Sequence, residues 1–223
     1  MSHSLFDAHG RRMPFKGMRV FNDVPRRYYR LKQPALKFDA VLDRIAEHAK
    51  TGALIPAEKF ESACGDLMRR AKADAALKDI FNGVHVPFAC PKVSGDGDLG
   101  EEFEKEWLPA VGRSFTKAFP GYHFKSTIQG DLPLSAKLKI GAGSRYEGFL
   151  KARRQGVVVG WYFPEALQEY DIASQRAQMD SLPLPEALAL SGGFEAASAL
   201  VGSPDLLVNP EAYPPVLCLS AFQ

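Results

Sequence analysis

Residues 137–154 carry the densest concentration of chemically capable groups in the chain: Lys137-Leu138-Lys139-Ile140-Gly141-Ala142-Gly143-Ser144-Arg145-Tyr146-Glu147-Gly148, running into Phe149-Leu150-Lys151-Ala152-Arg153-Arg154. Glycines let a backbone turn tightly and approach a ligand, and the start of a following helix presents unpaired N–H groups to the same point. Ser144 and Arg145 would add side-chain donors suited to phosphate oxygens. Gly141, Gly143, Ser144 and Arg145 are therefore candidate phosphate ligands, with Lys151, Arg153 and Arg154 as a basic cluster beside them. A tight strand-to-helix turn with its arginines in water accounts for the same residues, so spacing leaves both readings open.

A second set lies near the N-terminus. Residues 11–37 hold nine Lys or Arg against Asp23 alone, whereas the whole chain has a net charge of only +2, so the remainder is acidic. Arg11, Arg12, Arg19, Arg26, Arg27 and Arg30 supply cations for phosphates, and Tyr28 and Tyr29 supply rings for stacking on bases. That mixture suits nucleic acid or nucleotide as partner. A basic arm gripping an acidic protein surface in a phage or another multiprotein machine is the alternative.

Other reactive residues lack a supporting pattern. His85, Cys90 and His123 with Asp96 or Asp98 show no metal-ligand spacing, and Asp96-Gly97-Asp98 lacks the later positions of a calcium loop, so a metal site stays unassigned. Cys64, Cys90 and Cys218 are widely spaced, as expected of reduced thiols. Glu165, Glu169 and Asp171 follow an apolar run and would line its C-terminal end, or else form solvated turns.

These residues need elements to hold them. Residues 1–34, punctuated by Pro14, Gly17, Pro25 and Pro34, read as an extended basic arm, and residues 35–223 as a single α+β domain. Phe38, Val41, Leu42, Ile45 and Ala49 repeat at helical spacing, as do Phe60, Cys64, Leu67 and Met68 after Pro56. Residues 84–100, with Pro87, Pro91, Gly95 and Gly97, read as a loop leading to Asp98, the expected cap of a helix over 99–118 that Pro109 should kink or break. Tyr122, Phe124 and Ile128 suggest a strand, residues 137–163 a strand, glycine loop, helix and buried strand, and 165–179 and 194–201 further helices. The expected architecture is a helical N-terminal half with a small mixed sheet in the C-terminal half.

GxGxxG does not fit, because the third glycine is Gly148, and GxxxxGK followed by Ser or Thr occurs nowhere. The order strand, Gly-x-Arg, helix, Gly, strand resembles instead the signature segment of the ParB nuclease-like and sulfiredoxin families. Gly143-Ser144-Arg145-Tyr146-Glu147 preserves the Arg-Tyr-Glu of the sulfiredoxin loop, and residues 33–56 resemble the opening box. The sulfiredoxin cysteine is replaced at Gly143 or Ser144, so sulfinate repair is not implied. Resemblance to the plasmid fertility-inhibition members implies ATP or DNA hydrolysis, with ATP and a divalent metal ion as cofactors, in plasmid or phage DNA transfer. It also implies that Arg145 contacts phosphate and that Glu147 or Glu165 orients water or a metal ion.

The functional expectation is thus a phosphate-recognising protein that binds nucleotide or nucleic acid. The longest uncharged apolar run, residues 157–164, falls far short of the roughly 20 residues that cross a bilayer, and a cytoplasmic location is the expectation.

Overall fold

The computed structural model describes residues 4–15, 31–49, 54–95, 97–126, 133–180, 182, 188–208 and 219–222, and the fold is α+β. Helix α1 (Phe38–His48) buries Val41, Leu42 and Ile45, and α2 (Ala57–Ala73), entered through Pro56, buries Phe60 and Cys64. Both follow the apolar period. Strand β1 (Val86–Cys90) comes next, then α3 (Leu99–Glu102), capped by Asp98 through the Glu101 N–H.

Pro109 does not break the helix that begins there. A π-helical turn, Phe103–Trp107, joins α3 to α4 (Leu108–Ala118), with Pro109 in the first turn of α4. The wider turn passes the ring without the clash and lost hydrogen bond that proline brings to a regular helix interior. Phe103, Trp107, Val111 and Phe115 are buried along this rod, as their spacing predicts.

Helix α5 (Arg145–Gln155) leads into β2 (Val158–Tyr162), which pairs antiparallel with β1, Val86 opposite Tyr162 and Cys90 opposite Val158. Among the described residues the sheet is therefore two-stranded and antiparallel, with one strand from each half of the chain, in place of the mixed C-terminal sheet expected. Residues 86–90 were expected in a loop because of Pro87, and the geometry explains why proline is tolerated. His85 and Ala89 turn their backbone N–H and C=O groups to the side of β1 away from β2. There the Gln33 amide pairs with both groups of His85, at 2.9 Å each, and Ser198 Oγ accepts from Ala89 N–H and donates to Ala89 O. Pro87 has the same parity as these two residues, so the N–H it lacks would have faced an edge with no third strand among the described residues.

Helix α6 (Ile172–Asp180) starts seven residues later than expected, after turns over 164–169, and α7 (Gly193–Gly202) runs through the core with most residues buried. Glu195 caps α7 by accepting from Gly192 N–H and also accepts the Tyr146 hydroxyl at 2.7 Å. Burial raises the Glu195 carboxyl above its ordinary value, and burial followed by the Glu195 charge raises the Tyr146 phenol well above its own. Burial likewise pushes the Cys64 thiol up to about 12 and raises Cys90, which lies in β1 and not in a loop.

Two further strand expectations give way. Tyr122 and Phe124 lie outside any strand, Phe124 packing at 5.7 Å from Phe115, and Ile128 falls outside the described residues. Residues 135–137 form a turn, 138 and 139 are irregular, and Ile140 makes an isolated bridge to Phe222. Pro204–Leu207 is a 3-10 turn. No helix among the described residues is long and apolar enough to cross a membrane.

Candidate functional site

The glycine loop presents one backbone donor to an anion, and the chain supplies that anion itself. Gly143 adopts φ of +72°, which glycine accommodates without strain, and its N–H donates to Glu147 Oε1 at 2.9 Å. Ser144 then takes the position before the first turn of α5. A carboxylate from the third residue of the helix thus reaches back one residue past Ser144, whose own N–H donates to Gly141 O. Glu147, expected to orient water or a metal ion, serves the loop backbone.

Arg145 turns the other way. Its guanidinium donates to Leu182 O at 2.7 Å and to Leu188 O at 3.5 Å, and approaches Met179 Sδ at 3.8 Å. It gathers backbone carbonyls of the segment after α6, which is a structural use of an arginine fork. Within the basic cluster, Arg153 is 1% exposed, donates to Glu102 Oε1 at 2.7 Å and lies 4.5 Å from the centre of the Phe194 ring. Tyr146, Leu150 and Arg153 form the buried stripe of α5 at helical spacing, whereas Lys151 and Arg154 are exposed. The phosphate set is therefore divided: Gly143, Arg145 and Arg153 serve the fold, and Lys151 and Arg154 face solvent.

The N-terminal residues are likewise divided. Phe6 bridges Arg12 in a small hairpin that turns at Gly10, φ +73°, and Leu5 and Phe6 pack with Leu77, Ile80 and Phe81. A Cβ on Gly10 would collide with the Gly83 backbone, so two glycines set how closely the hairpin docks. Arg11 pairs with Asp7, and Arg12 donates to Leu5 O and Met13 O; both are buried. Their side chains brace the hairpin, whose Arg12 backbone docks on the body by donating to Ala166 O and accepting from the Tyr170 hydroxyl, and neither is an exposed cation of an extended arm. Arg19, Arg26, Arg27, Tyr28, Tyr29 and Arg30 lie outside the described residues.

The structure also assembles a site that spacing did not disclose. A cavity of about 310 Å³ opens where the hairpin, the returning chain, the turn before β1 and the turn after β2 meet. His9 and Arg11 come from the hairpin, Leu31 and Gln33 from the returning chain, residues 81–85 from the first turn, and Glu165 and Gln168 from the second. Glu165 Oε1 accepts from Leu31 N–H at 2.7 Å, so this carboxylate pins the returning chain and stands apart from Glu147. The His85 ring sits edge-on among Phe81 and Trp161, with centroids at 4.9 and 5.3 Å, and its Nδ1 lies 2.8 Å from Gly83 O. Burial lowers its pKa, Lys72 adds to this, and the Gly83 hydrogen bond opposes it. Of the wall residues, sequence reasoning had singled out Arg11, Gln33, His85 and Glu165, each for a different role, and nothing in their spacing joined them; Gln168 gave no signal.

Among the described residues no group of three or more His, Cys, Asp or Glu could hold a metal ion. No protein-family model, curated protein or solved structure matches this chain.

Proposed function

We propose that this chain binds nucleic acid, and that phosphate recognition falls to the basic segment between Met13 and Leu31, not to the glycine loop. One relationship supports this reading. Arg12 N–H donates to Ala166 O at 2.8 Å, and Leu31 N–H donates to the side chain of the adjacent residue, Glu165, at 2.7 Å. The chain between is therefore tethered at both ends to one point on the body. Its sequence carries Lys16, Arg19, Arg26, Arg27 and Arg30 with Phe15, Phe21, Tyr28 and Tyr29. Binding residues commonly sit on connections held by a rigid scaffold, and cations interleaved with rings match a phosphate backbone bearing bases.

Arg145, Arg153 and Glu147 are engaged by their own chain, so hydrolysis at the glycine loop is not part of the reading. A nucleic-acid partner is also what the ParB nuclease-like resemblance implies.

The test is fluorescence anisotropy with labelled DNA between about 50 and about 200 mM salt. Affinity should fall steeply with salt, and replacing Arg26, Arg27 and Arg30 together by Ala should reduce the log–log slope by about 2–3. A full-length chain that fails to bind DNA at the lowest salt overturns the proposal. Co-purification with a protein, in the absence of DNA binding, would replace it with the acidic-partner alternative.

A further inference from the structure

We propose that the cavity beside His85 seats a single unpaired nucleobase, with preference for a base that carries an exocyclic amino group. This deepens the reading above, because the described residues on either side of the basic segment reach the cavity wall. Arg11 and Leu31, both on its wall, flank that segment in sequence.

Charge argues for a base and against a phosphate. The described wall carries one guanidinium, Arg11, already paired with Asp7, and one carboxylate, Glu165. Such a balanced wall offers a dianion little, but it suits a neutral ring with hydrogen-bonding edges. At about 310 Å³ the space holds a base and part of its sugar. Phe81 lies on the wall, and Trp161 and Phe163 back it through ring contacts at 5.4 and 5.0 Å, an apolar aromatic lining of the kind on which unstacked bases rest.

Hydrogen-bond polarity sets the preference. A carbonyl only accepts, so Nδ1 of His85, 2.8 Å from Gly83 O, carries the ring proton, and the other nitrogen of the neutral ring is an acceptor. Asn82 spends one of its two amide N–H groups on Asp79, at 3.4 Å, and its carbonyl oxygen is a second acceptor. Two acceptors call for a donor on the ligand, as adenine and cytosine provide and thymine does not at the equivalent position. Gln33 is no reader, since both ends of its amide are taken by the His85 backbone.

Trp161 serves as an internal reporter, its ring centroid 5.3 Å from that of His85. Millimolar adenosine or cytidine should shift its fluorescence, and thymidine should act several-fold more weakly. His85→Phe keeps the aromatic packing but removes the acceptor, and Asn82→Trp fills the rim from an exposed position. Melting curves verify that each is folded. Both should abolish the nucleoside response and lower single-stranded DNA affinity about tenfold, leaving duplex affinity within twofold.

No fluorescence response of the native protein to any nucleoside overturns the inference; if DNA still binds, the broader reading stands without it. A nucleoside response without DNA binding keeps the base seat and removes the broader reading. Equal responses to adenosine and thymidine overturn the stated preference. A native protein that binds single-stranded and duplex DNA equally shows that the cavity takes no part in the complex.

Discussion

The carboxylate of Glu147 lies 2.9 Å from the backbone nitrogen of Gly143, in the place a bound phosphate oxygen would take at the start of α5. An anion made by the chain takes the Gly143 N–H, and Arg145 faces backbone carbonyls instead of the loop. Arg145→Ala should therefore destabilise the fold by about 1–3 kcal/mol, the range for loss of a charged donor to buried acceptors, and leave DNA affinity within twofold. Thermal melts and anisotropy on the same variant check both halves. A tenfold loss of affinity with unchanged melting would return the phosphate to the loop.

Arg153 is nearly inaccessible, and Glu102 is its carboxylate partner at 2.7 Å. Removing that partner leaves a buried cation uncompensated, whereas an apolar replacement of the arginine fills the space without a charge. Glu102→Ala should cost about 3–5 kcal/mol, more than Arg153→Met. Trp107 Nε1 also donates to Glu102, which adds to the difference. Denaturant unfolding of the two single variants and the double variant measures the order. The double should be milder than the sum.

His48 and His85 are both held below the ordinary imidazole range, chiefly by burial. Glu47 opposes the shift at His48, whereas Lys117, Arg113 and Arg44 reinforce it. A depressed imidazole stays neutral in the folded chain but binds a proton in the unfolded one, so its stabilisation is complete above about pH 6.5 and is lost as pH falls below that value. Glu195, whose carboxyl is raised by burial, acts in the opposite sense. Unfolding free energies at pH 7.5 and pH 5.5 should thus fall less for His48→Asn and His85→Asn than for the native chain, and the difference isolates the histidines from Glu195.

Gly10→Ala should detach the hairpin without unfolding the body. The added methyl meets Gly83 backbone, and φ of +73° is strained for alanine. Hydrogen exchange should rise at Leu5, Asp7 and Met13, whose N–H groups are bonded to Ala76, Arg11 and Leu5, while α7 stays protected. Loss of protection throughout would mean that the hairpin is part of the folding unit.

Much of the fold was legible. The apolar period located α1, α2, the long helix after Asp98 and α7, and the cap at Asp98 stands where expected. The valine-rich run located β2. Strand β1 was not legible, because Pro87 reads as a breaker unless the edge it occupies is known to lack a partner strand. The strand expected over 137–140 failed for a related reason: alternation of Lys and apolar residues says nothing about whether a neighbouring strand exists.

The candidate site was legible only in residue types. Arg145, Lys151, Arg153 and Arg154 look alike in a basic run, yet two are consumed by the fold and two are exposed. Their partners lie far off in sequence: Leu182 is 37 residues from Arg145, and Glu102 is 51 from Arg153. The sequence by itself determined helices, caps and turn glycines, since these depend on contacts within a few residues. Tertiary structure alone decided which charges are buried and where the cavity opens. Burial and ion pairing depend on which distant segments meet, as Leu31 and Glu165 do across 134 residues.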